Sequence, residues 1–308
     1  MRVPLIVVVG SSNTDLVIRS ARLPRPGQTV LDGEFQIMAG GKGANQAVAA
    51  ARAGARVTFV ANIGRDDFGD ASLKRLRREG INTRFVVRSR AAPSGIALIC
   101  VGENGENLIS VARSSNDELT PNHVRAAEAA IRAARCLVAQ IEVPLNTVKT
   151  AMLLARRHGV PVLLNPAPAK DLPTSLLRLV HFLTPNEVEL AHLTGRSGTR
   201  KADVIAGARQ LLALGAKHVL VTCGARGVCW CNAEAVRWFT PPKVKAIDTV
   251  GAGDCFSGVL AASLARGESM DDAIRFAVVA AAISVTRPGA QPSMPSRNEI
   301  VSKFHSWH

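Results

Sequence analysis

Two glycine-bearing segments hold the residues best equipped for chemistry. Asp248-Thr249-Val250-Gly251-Ala252-Gly253-Asp254-Cys255-Phe256 runs into an apolar helical pattern. Glycines just ahead of a helix let the backbone turn until several N–H groups face one point, and the helix N-terminus adds partial positive charge. Gly251, Ala252 and Gly253 therefore read as an anion hole built without a cationic side chain. A carboxylate in the first turn of such a helix would repel a bound phosphate. Asp254 makes sense there if it faces an acceptor hydroxyl and takes its proton as a general base; the alternative is an aspartate that only caps the helix.

The second segment, Gly40-Gly41-Lys42-Gly43-Ala44-Asn45, enters another helix. It lacks the Gly-x-x-x-x-Gly-Lys-Ser/Thr spacing of a P-loop, and the acidic residue that a dinucleotide fingerprint requires after the second strand is missing. A glycine loop ending in Asn suits a neutral polyol, offering N–H donors and one amide that both donates and accepts. Asn13 and Asp15, expected at the end of the first strand, extend this pocket, because open α/β sheets bind ligands there. Lys42 either touches the substrate or is kept for its backbone. Glu142 ends an expected buried strand, Gln140-Ile141-Glu142, as a pocket carboxylate or a structural one. Cys255 is either a low-pKa thiol at a helix N-terminus or a small packed residue.

These residues need a scaffold, and the pattern supplies strand, helix, strand, repeated. Strands are expected at Leu5–Val9, 56–63, 137–141, 160–164, Phe182–Leu183 and His218–Thr222. Helices are expected at 43–53, 68–79, 120–134 (Thr120 as N-cap, Pro121 at N1), 145–158, 187–193 ended by Gly195, 202–214 ended by Gly215, 253–265 and 270–285. Buried apolar strands alternating with amphipathic helices predict an α/β fold, a three-layer α/β/α Rossmann-like body around a mostly parallel sheet. Two stretches, about 15–40 and 92–112, break the helical rhythm. The second holds a hairpin signal around Gly102–Asn107. Together they read as a small β unit inserted in one domain spanning 1–308.

Composition narrows the classes. The 308 residues are 47% hydrophobic and 20% charged, ordinary globular usage. Leu5–Val9 is too short to span a bilayer, and although Arg2 precedes it, the run leads into Gly10-Ser11-Ser12-Asn13 as a strand would. Six scattered cysteines lack the density of a disulfide scaffold, so reduced thiols in the cytoplasm are expected. Cys229-Trp230-Cys231, with Cys223 and His218 nearby, lacks a second ligand pair at zinc spacing and reads as core. Lys+Arg number 38 against 24 Asp+Glu, a net +14 that raises the question of nucleic acid. Residues 1–100 hold 15 of the basic and 7 of the acidic residues, largely on the Lys74–Arg78 helix face and in Arg84, Arg88 and Arg90. Aromatics are only 4%, and no helix-turn-helix or zinc-finger signature is present, so the surplus reads as surface solvation rather than a nucleic-acid partner.

Gly-Gly-Lys-Gly-Ala-Asn-Gln at 40–46 paired with Asp-Thr-Val-Gly-Ala-Gly-Asp at 248–254 resembles the ribokinase-like (PfkB) carbohydrate kinases. Further motifs follow in that family's order over essentially the whole chain: Gly10–Asp15, Asn165–Pro168, Thr184–Glu189, Val221–Gly224 and Val285–Ser293. The resemblance implies an α/β/α body with a β-sheet lid, transfer of phosphate from ATP to the primary O5 hydroxyl of D-ribose, Mg²⁺, K⁺ as monovalent activator, and a homodimer joined through the lid. 2-Deoxyribose, another neutral sugar or a nucleoside is the runner-up acceptor. The family's pattern assigns Asn13, Asp15, Gly41, Lys42, Gly43, Asn45 and Glu142 to the sugar, with Asp254 as base. It assigns Asn186 and Glu189 to magnesium through water, and Asn186, Thr222, Gly224, Gly227 and Gly253 to ATP. Asp248, Val250, Ser284, Arg287, Gly289 and Ser293 match the monovalent-cation positions. Val278 departs from the pattern, standing where relatives often carry Asn or His near the adenine.

Overall fold

Alternation along the first strand divides the molecule into two cores: Ile6 and Val8 pack to one side, Val7 and Val9 to the other. The computed structural model describes residues 3–104, 106–196 and 200–307; Arg2, and Gly105 of the expected hairpin turn, lie outside them. The strands are β1 (Leu5–Val9), β2 (Asn13–Arg19), β3 (Glu34–Gly40), β4 (Arg56–Gly64), β5 (Asn82–Ser89), β6 (Gly95–Val101), β7 (Asn107–Ala112), β8 (Cys136–Gln140), β9 (Val162–Asn165), β10 (Phe182–Leu183), β11 (His218–Thr222), β12 (Val228–Cys231) and β13 (Val236–Phe239). The helices are α1 (Lys42–Arg52), α2 (Asp67–Arg78), α3 (Pro121–Ala126), α4 (Glu128–Ala133), α5 (Leu145–Arg157), α6 (Thr174–Leu177), α7 (Glu187–Thr194), α8 (Lys201–Ala213), α9 (Ala252–Ala265), α10 (Met270–Ser284) and α11 (Arg297–Trp307).

Among the described residues, nine strands form one sheet in the order β13-β12-β11-β10-β9-β8-β1-β4-β5. It is parallel from β11 to β5, while β12 and β13 turn back antiparallel at one edge. The core under α1, α9, α10 and α11 covers one face, and the core under α3, α4, α5, α7 and α8 covers the other. This is the expected three-layer α/β body. The strand order reverses at β1, whose neighbours are β8 and β4. Crevices open at such switch points beyond the C-terminal strand ends.

A second sheet, β3-β2-β6-β7, is formed by the two stretches that lack helical period. Its register puts Leu16, Ile18, Phe35, Ile37, Leu98 and Leu108 on one face and Asp15, Val17, Met38 and Ala97 on the other.

Several expectations need correction. Asn13 and Asp15 do not end β1, which stops at Val9; they open β2 of the second sheet. Glu142 lies in a bend beyond β8, which ends at Gln140. The helix expected over 120–134 is two helices broken at Ala127 (φ −93°, ψ 7°), where a tightened turn keeps Val124, Ala127 and Ile131 all buried. Among the strands not anticipated, β5 carries Arg84 and Arg88 and so shows no continuous apolar run.

Small residues set the spacing of the site's two helices. A Cβ on Gly258 of α9 would stand 2.5 Å from the Gln46 carbonyl oxygen and 2.7 Å from Ala49 Cβ, so α1 and α9 meet almost backbone to backbone. That closeness brings Asn45 and Gln46 to Asp254.

Candidate active site

The site is built where α1 and α9 begin. Gly41 precedes α1 with φ 87°, and a Cβ there would stand 2.5 Å from Asn13 N, so the glycine loop lies directly on Ser12-Asn13. Gly251 precedes α9 in the left-handed conformation (φ 77°, ψ 0°), turning the amides of Ala252, Gly253 and Asp254 along the first turn. Around Gly253 a Cβ would meet nothing within 4 Å, so this first turn faces open space.

Asp254 is buried, with 6% of its surface exposed. Asn45 Nδ2 donates to its Oδ2 at 2.9 Å and Gln46 Nε2 to its Oδ1 at 2.9 Å. Burial raises its pKa above the usual carboxylate value, although Lys42 and the Asn45 and Gln46 amides favour the charged form. Asp15 is pushed up to about 7 by burial and by the negative charges of Glu142 and Asp254, against the pull of Lys42. Burial works against the charge on Lys42, but Asp254, Glu142, Glu189 and Asp15 outweigh it and hold its amine above the ordinary lysine value. Four acids and one lysine, from α9, β2, the bend after β8, α7 and α1, thus share one electrostatic neighbourhood. Glu142 Oε2 accepts from Ser11 Oγ at 2.5 Å and from the Lys42 amide at 3.0 Å, tying the bend after β8 to the glycine loop. Asn13 Oδ1 accepts from Asn116 Nδ2 at 2.7 Å, so its own amide donors remain for another partner.

The nucleotide-side candidates gather at the ends of β10 and β11. Asn186 caps α7 reciprocally with Glu189: Asn186 Oδ1 accepts from Glu189 N at 2.8 Å, and Glu189 Oε2 from Asn186 N at 2.9 Å. Glu189 Oε1 also accepts from Asn186 Nδ2 at 3.1 Å, leaving both oxygens of a buried carboxylate engaged. Thr222 bridges to Asn186, and Gly224 and Gly227 follow in the tight turn after β11. Val278, by contrast, is buried in the core at 3% exposure.

Asp248 links two loops: its Oδ1 accepts from Val250 N and its Oδ2 from Gly289 N, both at 2.9 Å. Arg287 directs its guanidinium away to Glu299, and the Ser284 and Ser293 hydroxyls donate to the Ala281 and Ala290 carbonyls. The carboxylate, hydroxyls and backbone carbonyls of these residues are oxygen groups, the donor class that a hard cation would take. Five of the six cysteines are buried. Cys255 is fully buried and burial pushes its thiol up to about 12, which removes the low-pKa alternative. Cys229 and Cys231 lie 3.7 Å apart in the core, and His218 stacks between Phe182 and Trp230. No three-residue metal-ligand group occurs among the described residues.

A buried acid in the first turn of a helix opened by a glycine turn, close to Asn45 and Asp15, would suit phosphorylation of an alcohol. The pfkB family carbohydrate kinase pattern matches residues 3–297. The chain belongs to the pfkB family of carbohydrate kinases. Its enzymes are phosphotransferases with an alcohol group as acceptor. A ribokinase of Haemophilus influenzae is 42% identical over 296 residues, 96% of this chain and 97% of its own. A deoxyribokinase of Salmonella typhi is 37% identical over 292 residues, 94% and 95% of the two chains. The ribokinase of Arabidopsis thaliana, solved with ribose and ATP, shares 30% identity and superposes with a TM-score of 0.90 over 99% of each chain.

The structure also brings beside these candidates polar residues that were not singled out as candidates. Asn116, 1% exposed in the short 3₁₀ turn Ser114–Glu118, accepts from Ser12 N at 2.9 Å and holds Asn13. Gln291 Nε2 donates to Asn45 Oδ1 at 3.2 Å. Gln46 and Gln140 are fully buried. The available signal was a polar residue inside an apolar run, as in Cys136-Leu137-Val138-Ala139-Gln140.

Proposed function

We propose that this chain is an ATP-dependent kinase that phosphorylates the O5 hydroxyl of D-ribose to give D-ribose 5-phosphate, as one kinase domain over 1–308 with the small sheet (about 15–40 and 92–112) as its lid. The observation that carries this is Asp254: a buried carboxylate in the first turn of α9, gripped at both oxygens by amides from α1 and adjoining the Gly251–Gly253 turn. Asn13, Asp15, Gly41, Lys42, Gly43, Asn45 and Glu142 take the sugar hydroxyls. The O5 proton passes to Asp254 as O5 attacks the γ-phosphorus; the bond from that phosphorus to the bridging oxygen breaks, and ADP leaves. Backbone N–H groups of the Gly251–Asp254 turn stabilise the charge that develops in transfer. Asn186, Thr222, Gly224, Gly227 and Gly253 line the nucleotide, and the lid excludes water that would otherwise accept the phosphoryl group.

Two ions belong to this proposal. Mg²⁺ would supply charge neutralisation on the phosphate oxygens. Asn186 and Glu189 would hold it through water, which suits a carboxylate already engaged at both oxygens. K⁺ would stiffen the loop entering α9, held by oxygens of Asp248, Val250, Ser284, Arg287, Gly289 and Ser293. We also propose a cytoplasmic homodimer. The outward lid face carries Ile18, Phe35, Ile37, Leu98 and Leu108, each about half exposed, an apolar surface suited to a second lid. The six cysteines are free, as a reducing compartment keeps them.

A panel of ribose, 2-deoxyribose, fructose and adenosine with ATP, read as kcat/KM, tests the acceptor. Ribose should lead; a tenfold preference for deoxyribose would shift the assignment to the activity of the Salmonella typhi relative. Rates in potassium should exceed those in sodium, and equal rates would remove the cation site.

A further inference from the structure

Behind Asp254 lies a chain of buried amides that the proposed chemistry does not use. Gln46 of α1 and Gln140 of β8 are fully buried, and Asn165 at the end of β9 is 6% exposed. Gln46 Nε2 donates both to Asp254 Oδ1 at 2.9 Å and to Asn165 Oδ1 at 3.1 Å, while its Oε1 accepts from Gln140 Nε2 at 2.6 Å. Asn165 Nδ2 donates to the Thr184 backbone carbonyl at 2.8 Å.

The order of donors in this chain is fixed from its far end. A backbone carbonyl can only accept, so Asn165 must turn its Nδ2 toward Thr184 and its Oδ1 toward Gln46. Gln46 must then present Nε2, and the second hydrogen of that nitrogen points at Asp254. On the other oxygen, Gln291 Nε2 occupies Asn45 Oδ1, so Asn45 faces Asp254 with Nδ2. Both carboxylate oxygens therefore meet amide donors, and the orientation of the Gln46 amide is set from the Thr184 carbonyl. Donors of this kind favour the charged acceptor.

We infer that Gln46, aligned by Asn165 and the Thr184 carbonyl, is a positioning residue that keeps Asp254 an ionised acceptor, ready to take a proton, despite its burial. This rests on Asp254 being the base. The charged groups around Asp254 are Lys42 from α1, Glu142 from the bend after β8, Asp15 from β2 and Glu189 from α7. Of these only Lys42 favours the ionised form, so the amides carry much of the task.

The test is log kcat against pH at saturating ribose and ATP, where bound sugar already engages Asp15. Gln46→Met keeps the length of the side chain and removes the donor. Its acidic limb should move up by about one pH unit, with activity recovering as pH rises and the ribose KM changing less than twofold. Asn165→Leu, which does not touch Asp254, should shift the limb in the same direction by less, and it carries the test if Gln46→Met does not fold. A loss independent of pH in a folded variant, or an unmoved limb, overturns the inference. Asp254→Asn separates the two levels: an active Asp254→Asn overturns the base itself, whereas an inactive one beside an unshifted Gln46→Met removes only the positioning role.

Discussion

Two glycines five residues apart in α9 should respond in opposite ways to the same added methyl. A Cβ on Gly253 would meet nothing within 4 Å, whereas a Cβ on Gly258 would stand 2.5 Å from the Gln46 carbonyl oxygen and 2.7 Å from Ala49 Cβ. Alanine is favoured over glycine within a helix by up to about 1 kcal/mol, less in the first turn. Gly253→Ala should therefore leave the melting temperature unchanged or raise it by about 2 °C. The open space beside Gly253 is where the transferred phosphoryl group would meet backbone donors, and losing one such donor contact costs about 10²–10³-fold in rate. Gly258→Ala forces two helix backbones apart and should cost about 1–3 kcal/mol of stability. Calorimetry of both variants, with an ADP-release assay on ribose, decides the matter. A Gly253→Ala enzyme with wild-type kcat/KM would refute the placement of the phosphoryl group, and a Gly258→Ala enzyme as stable as wild type would refute the packing argument.

Asp15, raised to about 7, should make sugar binding pH-dependent: the ionised form accepts from hydroxyls, so the ribose KM should rise as pH falls below about 7 and level off above it. The folded state also holds this proton more tightly than the unfolded chain, so stability of the ligand-free enzyme should fall as pH rises from about 4 to 7. Asp15→Asn should remove that component of the melting curves; an unchanged pH slope would refute the assignment. On the lid, Phe35→Asp with Leu98→Asp should convert a dimer into monomers by sedimentation, and a wild-type monomer would dispose of the lid interface.

Local pattern made much of this molecule readable. Gly251–Asp254 and Gly40–Asn45 were legible as glycine turns leading into helices because that feature is contiguous in the chain. The small sheet was visible as two stretches without helical period. What could not be read depends on chain crossings. Gln46 and Asp254 are 208 positions apart, and Asn45 and Gln291 are 246 apart, so neither partner's neighbours reveal the bond. Asn116 likewise reaches Asn13 across the sheet interface from a short 3₁₀ turn. The Asn13 and Asp15 boundary was misread because strands of the large and small sheets follow one another after only three residues, Gly10 to Ser12. The basic surplus of α2 and β5 stays outside the candidate site, as its distribution along the chain suggested.

The most direct test is the rate of ADP formation by Asp254→Asn, an isosteric change, with ribose and ATP both saturating and nucleotide affinity measured separately. Retained ATP binding with kcat reduced by about 10²–10⁴-fold is the predicted result. A rate within threefold of wild type would contradict Asp254 as the base.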